Sequence, residues 1–198
     1  DLSWNIQFWP DKKNTTGRQL SGLIKSDFNW NAANVSQQGI AVKGMGALEW
    51  MLFDSQYGIE SNQDNWEHYC LASQAISQNI EQNSMLIATA WQQNPWLELS
   101  ASDWQAEYLA LMVNQLDYTM KKLSRPLDKI GNPKPYFSES WRAKTSMNQM
   151  YSNVEALHSL YLAGDSYEEV NSLYRMIIAN GNQQLAVSIS EQLESILD

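Results

Sequence analysis

ESWRAKTSMNQMYSNVEALHSLYLAG, residues 139–164, carries the clearest period in the chain. Met147, Met150, Val154, Leu157 and Tyr161 recur at alternating steps of three and four, the spacing that lines one face of an α-helix. Gly164 stands where a helix commonly ends on a left-handed residue. The pattern predicts a helix over 139–163.

Working outward, the same period recurs on both sides. Pro126, Pro133 and Pro135 surround Gly131-Asn132, so 126–138 cannot continue a helix and reads as an extended connection. Before it, Ser102-Asp103-Trp104-Gln105 has the form of a capping box and opens a predicted helix to Ser124, with Trp104, Tyr108, Leu111, Met112 and Leu116 as its stripe and Arg125-Pro126 closing it. Residues 63–93 predict a long helix with Trp66, Cys70, Ile76, Ile80 and Leu86 facing the core. Residues 36–53 predict another, through Ile40, Met45, Leu48, Met51 and Leu52, although Gly44 and Gly46 inside it would each cost about 1 kcal/mol. Such a pair points to a close backbone approach or to a cavity that something occupies. After Gly164, Ser166-Tyr167-Glu168-Glu169 reads as a second capping box, opening a helix through Val170, Leu173, Tyr174 and Ile177, and Leu185, Ile189, Leu193 and Ile196 mark a last one. No stretch alternates with period two. The expected class is therefore all-α, an up-and-down helical bundle: a single helical region, with 1–35 an irregular lead-in holding a short helix near Leu20–Lys25 and 36–198 the bundle.

Composition narrows the function. The 198 residues, 43% hydrophobic and 18% charged, are enough to bury about 70% of the unfolded surface. A formal net charge of −9 repels phosphate backbones and anionic lipid, so nucleic acid is not an expected partner. No apolar run approaches the roughly 20 residues of a spanning helix, and Asp1–Pro10 has neither the basic nor the apolar part of an export signal. Cys70 is the single cysteine, so no internal disulfide forms, and with only His68 and His158 a three-histidine or Cys/His metal cluster is excluded. The triplets Asn14-Thr15-Thr16 and Asn34-Val35-Ser36 fit the N-glycosylation pattern but recur by chance in an Asn-rich chain.

Few side chains can carry chemistry. His68 and His158 read as rim or solvent-facing residues, and Cys70 as a small buried apolar one. Glu155-Ala156-Leu157-His158 has the spacing of a di-iron carboxylate motif, but the second copy is missing, since Asn65 stands three before His68. The simpler reading is a surface Glu155–His158 pair. Glu49 stands out, a carboxylate between Leu48 and Met51 in an apolar helix. If buried, it requires a cation, a proton or strong donors; the other reading places it on the helix's wet flank.

Three stretches resemble the imelysin-like family. VKGMGALEWMLF, 42–53, is similar to the family's Gly-x-His-x-x-Glu signature helix, with its following aromatic and Phe. FWPDKK, 8–13, resembles its upstream Trp-Pro-Asp-Lys segment. ESWRAKTSMN, 139–148, resembles its Trp-Arg-Ser helix start. Order and spacing agree, so the match covers most of the chain. The resemblance implies an all-helical protein of two related bundles, exported to the bacterial periplasm or held at the outer membrane, often as a lipoprotein, and linked to iron acquisition; some members are classed as metallopeptidases. On this expectation the chain is a piece of a longer two-bundle protein, any lipid anchor lies outside it, and the cofactor, if any, is iron or another divalent metal.

The signature's first glycine is Gly44 and its glutamate Glu49, but its histidine position is Gly46. Positions 46 and 49 share a helix face, so the family geometry pairs an imidazole with a carboxylate where this chain keeps the carboxylate alone. Glu49 is then the one candidate metal ligand, and a lone carboxylate holds a transition metal poorly. Gly44, Gly46, Glu49, Arg142, Ser146 and Asn148 are the expected ligand-binding residues, with no catalytic one. The expected function is a binding or accessory role in iron uptake without peptidase activity. The alternatives are a metal-dependent hydrolase completed by His68, His158 or residues elsewhere, and a purely partner-binding bundle.

Overall fold

The computed structural model describes residues 2–164, Tyr167 and 171–198. Among them there are eight α-helices and no strand: α1 (Thr15–Ile24), α2 (Ala32–Ser36), α3 (Met45–Phe53), α4 (Trp66–Gln92), α5 (Ala101–Leu127), α6 (Ser146–Leu162), α7 (Leu173–Ala179) and α8 (Gln183–Leu197). The chain divides into two compact units, one of residues 1–98 and 136–145, the other of residues 99–135 and 146–198. The all-helical class is as expected.

In the first unit α4 is the support on which α2 and α3 pack, and α1 packs on α3. Its core gathers Leu20, Val35, Trp50, Met51, Tyr69 and Ile76, each 5% exposed or less. Burying a large apolar side chain stabilises by about 1.5–3 kcal/mol, so this cluster holds the unit together. The buried face of α4 is not the predicted one. Ile76 and Ile80 are buried, but Trp66, Cys70 and Leu86 are exposed, and the face runs instead through Tyr69, Ala72, Ala75, Asn79 and Asn83. Alanines allow α2 and α3 to approach closely. The buried amides satisfy one another and the chain start: Asn83 Nδ2 donates to Asn79 O at 2.8 Å, and Asn5 Nδ2 to Asn83 Oδ1 at 3.2 Å.

The stretch 1–35 is more regular than expected. It contains α1 and α2, and it supplies Trp9, Leu20, Ala32 and Val35 to the buried set. Asp11 starts α1: its Oδ1 accepts from Thr15 N at 2.7 Å and its Oδ2 from Thr16 N at 2.8 Å, satisfying two of the N–H groups that a helix start leaves open.

The second unit packs α6 against α5, α7 and α8, around Tyr161, Leu162 and Leu173. Here the sequence expectations shift by a residue or two. Ser100, not Ser102, caps α5, its Oγ accepting from Asp103 N at 3.2 Å; α5 continues through Pro126 to Leu127, and Trp104 and Leu116 are exposed. Helix α7 is capped by Ser172, whose Oγ accepts from Arg175 N. The expected box at Ser166–Glu169 lies outside the described residues apart from Tyr167. On α8 the buried residues are Ala186 and Ser190, while Leu185 and Ile196 are exposed.

Two boundaries matter for the site. The predicted helix 139–163 begins only at Ser146; 139–145 is turn, with Ser140 at φ 53° and Lys144 at φ 59°. The predicted helix 36–53 is in three pieces: the end of α2, a 3-10 turn at Ile40–Val42, and α3.

Candidate functional site

Gly44 is not interior to a helix but precedes α3, and a Cβ there would stand 2.6 Å from the carbonyl oxygen of Ile6. Its absence lets that carbonyl accept from Met45 N at 2.7 Å, which ties the chain start to the first turn of α3. Gly44 thus meets the expectation of a close backbone approach. Gly46 differs, because a Cβ there would find nothing nearer than Phe8 O at 3.8 Å and Gln7 Oε1 at 4.0 Å. It borders open space.

That space belongs to a cleft of about 630 Å³ in the first unit. Three segments line it: Gln7 to Asn14, the α3 residues Gly46 and Glu49 with Asp54 to Tyr57 beyond, and Tyr136 to Arg142. Each overlaps one of the three stretches that carry the family resemblance. Trp9 Nε1 donates to Phe137 O at 3.0 Å and Gln7 Nε2 to Glu139 Oε1 at 2.7 Å, so the first segment is fixed to the third.

Glu49 is partly buried and faces this cleft. Its Oε1 accepts from Arg142 N at 2.7 Å and Ala143 N at 3.0 Å. This explains why 139–145 is not helical: two amides that would serve a helix instead serve a carboxylate from α3, and Ser140 and Lys144 adopt the left-handed conformation to present them. Such a conformation at a non-glycine residue costs about 1–3 kcal/mol, which the surrounding contacts must offset. Burial pushes the Glu49 carboxyl above its ordinary 4.5; the Ala143 and Arg142 amides and the Arg142 charge pull the other way, while Glu139 adds to the rise. Burial wins. The requirement for strong donors is met by backbone amides.

The Arg142 side chain turns elsewhere. Its Nε donates to Asp54 Oδ2 at 2.8 Å with both side chains 13% exposed, its Nη2 donates to Asn14 Oδ1 at 3.3 Å, and its guanidinium lies over the Trp141 ring. Burial alone would raise the Asp54 carboxyl, but Arg142 and the amides of Gln56 and Tyr57 hold it below 3.8. Asp11 is lowered likewise, its burial outweighed by the bonds from Thr15 and Thr16.

Of the expected site residues, the cleft gathers Gly46, Glu49 and Arg142; Gly44 supports it from behind. Ser146 and Asn148 are a correction: they start α6 in the second unit, where Asn148 borders a separate groove of about 650 Å³ with Leu116, Met120, Met147 and Met150. The helix starts too late for them to share the turn that carries Arg142. His68 is half-buried and its Nε2 accepts from Trp30 Nε1 at 2.9 Å. His158 Nε2 lies 3.9 Å from Glu194 Oε1 on α8, while Glu155 is exposed. Neither histidine lines the cleft. Gln7, Asp54 and Glu139 were not singled out from sequence. Asp11 and Glu139 lie within quoted motifs, and for Gln7 no local signal exists, since its role comes from a contact 132 positions away.

A resident transition metal does not fit this donor set. Glu49 Oε1 is filled by two amides, Asp54 by Arg142 and Asp11 by the start of α1. Among the described residues no three His, Cys, Asp or Glu side chains converge as metal ligands would. No helix among the described residues is long and apolar enough to cross a membrane.

No curated protein and no solved structure matches the chain. A model of the imelysin family does, over residues 1–198. With its motif segments folded around one cleft and the match running from the first residue to the last, the chain belongs to the imelysin family.

Proposed function

We propose that this protein is an exported imelysin with a binding or accessory role in bacterial iron uptake, and that it is not a peptidase. One observation carries the reading: the carboxylate of the signature helix is occupied by two backbone amides, and at the position of its imidazole partner stands Gly46. Hydrolysis of a peptide requires a polarised carbonyl and an activated nucleophile or water. Glu49 has one oxygen committed to Arg142 and Ala143, and no histidine or cysteine lines the cleft. What remains is an open, partly aromatic cleft with fixed acceptors, the makings of a ligand site. The link to iron uptake and the location at the periplasm or outer membrane rest on family membership.

The test pairs two measurements. Purified protein incubated with unfolded casein, with and without zinc or ferrous iron, should leave the substrate intact. Deleting the gene in its host should lower iron accumulation under iron limitation. Cleavage that disappears on Glu49→Ala overturns the first half of the reading, and unchanged iron accumulation overturns the second.

A further inference from the structure

Leu109, Val113, Leu116, Met120, Leu123 and Leu127 follow one another on α5 at steps of four, three, four, three and four, and all six are 45–62% exposed. This is the heptad spacing of a coiled-coil seam, with Leu109, Leu116 and Leu123 at d and Val113, Met120 and Leu127 at a. The helix meets α6 through a different face. Tyr108 O–H donates to Leu160 O, Gln115 Nε2 donates to Asn153 Oδ1 at 2.8 Å, and Thr119 and Lys122 are buried. Packing within the unit thus leaves the second stripe half in water. Beside it runs the groove that Asn148 borders, walled by Leu116, Met120 and Leu123 from α5 and by Met147, Met150 and Tyr151 from α6. Met147 and Tyr151 lie one turn apart and are exposed as well.

Such a seam takes a helix that presents a matching one, and the sequence of α5 matches itself. About a midpoint between Leu116 and Met120, an antiparallel copy sets Leu109 against Leu127, Val113 against Leu123 and Leu116 against Met120, every d facing an a. The flanks agree. Coiled coils choose unlike partners through charges at e and g, and here those positions are Ala110, Asp117 and Ser124 with Met112, Thr119 and Pro126. The one charge among them, Asp117, is already paired with Lys121, so two copies meet without local repulsion despite the net −9 of each. The area is also sufficient. A half-exposed large side chain offers roughly 80 Å², half the lower figure for an aromatic ring buried whole, so the stripe with Met147 and Tyr151 offers roughly 600 Å² of apolar surface per copy. A stable dimer buries about 800 Å² per partner, about 65% of it apolar.

We propose that the exposed stripe of α5 is a self-association surface, on which two copies of the chain pair antiparallel along Leu109–Leu127 in an isologous dimer. Met147 and Tyr151 of each copy flank the partner's α5, which lies in the groove between α5 and α6. A closed two-fold pairing of this kind uses the same patch on both copies and leaves none over for further growth. The surface uses no residue of the cleft, so it stands or falls apart from the ligand reading.

Sedimentation equilibrium of the full chain, from low to high micromolar concentration, tests it. The mass should rise to twice 22.7 kDa. Leu116→Glu with Met120→Glu sets like charges against one another at the centre of the seam and should raise the dimer Kd by about 100-fold or more, roughly tenfold for each site. Both side chains are already exposed, so circular dichroism should show the fold unchanged. Leu71→Glu, at a position equally exposed on α4, should leave the Kd as it is. In a Cys70→Ser background, Leu109→Cys combined with Leu127→Cys should give covalent dimers on oxidation, and either substitution alone should not. A monomer at every concentration overturns the proposal, as does a dimer indifferent to Leu116→Glu with Met120→Glu, an assembly that grows beyond two, or a monomer that binds only a heptad peptide of unrelated sequence. Efficient crosslinking through position 109 or 127 alone overturns the antiparallel arrangement.

Discussion

Glu49 holds a turn in place at an electrostatic cost, and the two effects can be separated by substitution. Glu49→Ala leaves the amides of Arg142 and Ala143 without their acceptor and should destabilise by about 1–3 kcal/mol, read from urea unfolding followed by tryptophan fluorescence. Glu49→Gln retains an oxygen and should hold the turn. The pH dependence has a defined sign. The folded-state carboxyl ionises above its ordinary 4.5, so as pH rises from there the unfolded chain releases its proton first and wild type loses stability relative to Glu49→Gln until the folded carboxyl has also ionised. At neutral pH the Gln variant should equal or exceed wild type, and the gap should close on acidification toward 4.5. An Ala variant as stable as the Gln variant would remove the amides from the account. Sequence exposed Glu49 as a carboxylate in an apolar run and, through the family resemblance, set Arg142 in the same site; that two backbone amides serve the carboxylate was not legible, because Arg142 and Ala143 lie 93 and 94 positions away on a segment whose own pattern reads as helix.

At the scale of elements, α3 starts where it does because of one glycine. Gly44→Ala would drive a Cβ to 2.6 Å from a backbone oxygen of Ile6, and backbone cannot rotate aside as a side chain can. The variant should lose about 1–3 kcal/mol and the Met45 N–H to Ile6 O bond, seen as faster amide exchange at Met45. Gly46→Ala meets no such obstacle and should fall close to wild type, and equal costs at the two positions would contradict the assignment. Sequence marked the glycine pair as anomalous but could not divide the two roles, since one depends on Ile6 and the other on an empty space. The same limit explains why the faces of α4 and α8 are only partly the expected ones, with Ile76, Ile80, Ile189 and Leu193 packed inward. Ranking positions by hydrophobicity selected Trp66, Leu86, Leu185 and Ile196, whereas the buried positions are occupied by Ala72, Ala75, Ala186 and Ser190, where small size lets helices close. Helix existence, by contrast, was legible almost throughout, because the three-and-four spacing survives a shift of face.

For the whole molecule, the first unit contains carboxyls displaced in opposite directions. Asp11 and Asp54 ionise below 3.8 and Glu49 above 4.5. Asp11 and Asp54 contribute stability that is present above about 3.8 and is lost as pH falls through their lower folded values; Glu49 withdraws stability as pH rises above 4.5. All three line one cleft, so acid first relieves Glu49 and then dismantles the bonds that start α1 and anchor Arg142. A raw stability profile would mix this with the easing of the −9 net charge, but the difference between a variant and wild type largely cancels that shared contribution. Arg142→Met should cost about 3 kcal/mol at neutral pH, the penalty of leaving a largely buried Asp54 without its cation. That penalty should vanish as pH falls far enough to protonate Asp54 in the wild-type fold. Fluorescence isolates the effect, because of nine tryptophans only Trp104 falls in the second unit. A penalty that stays constant from neutral pH down to the acid limit would mean that Arg142 acts through packing on Trp141 and not through the charge of Asp54.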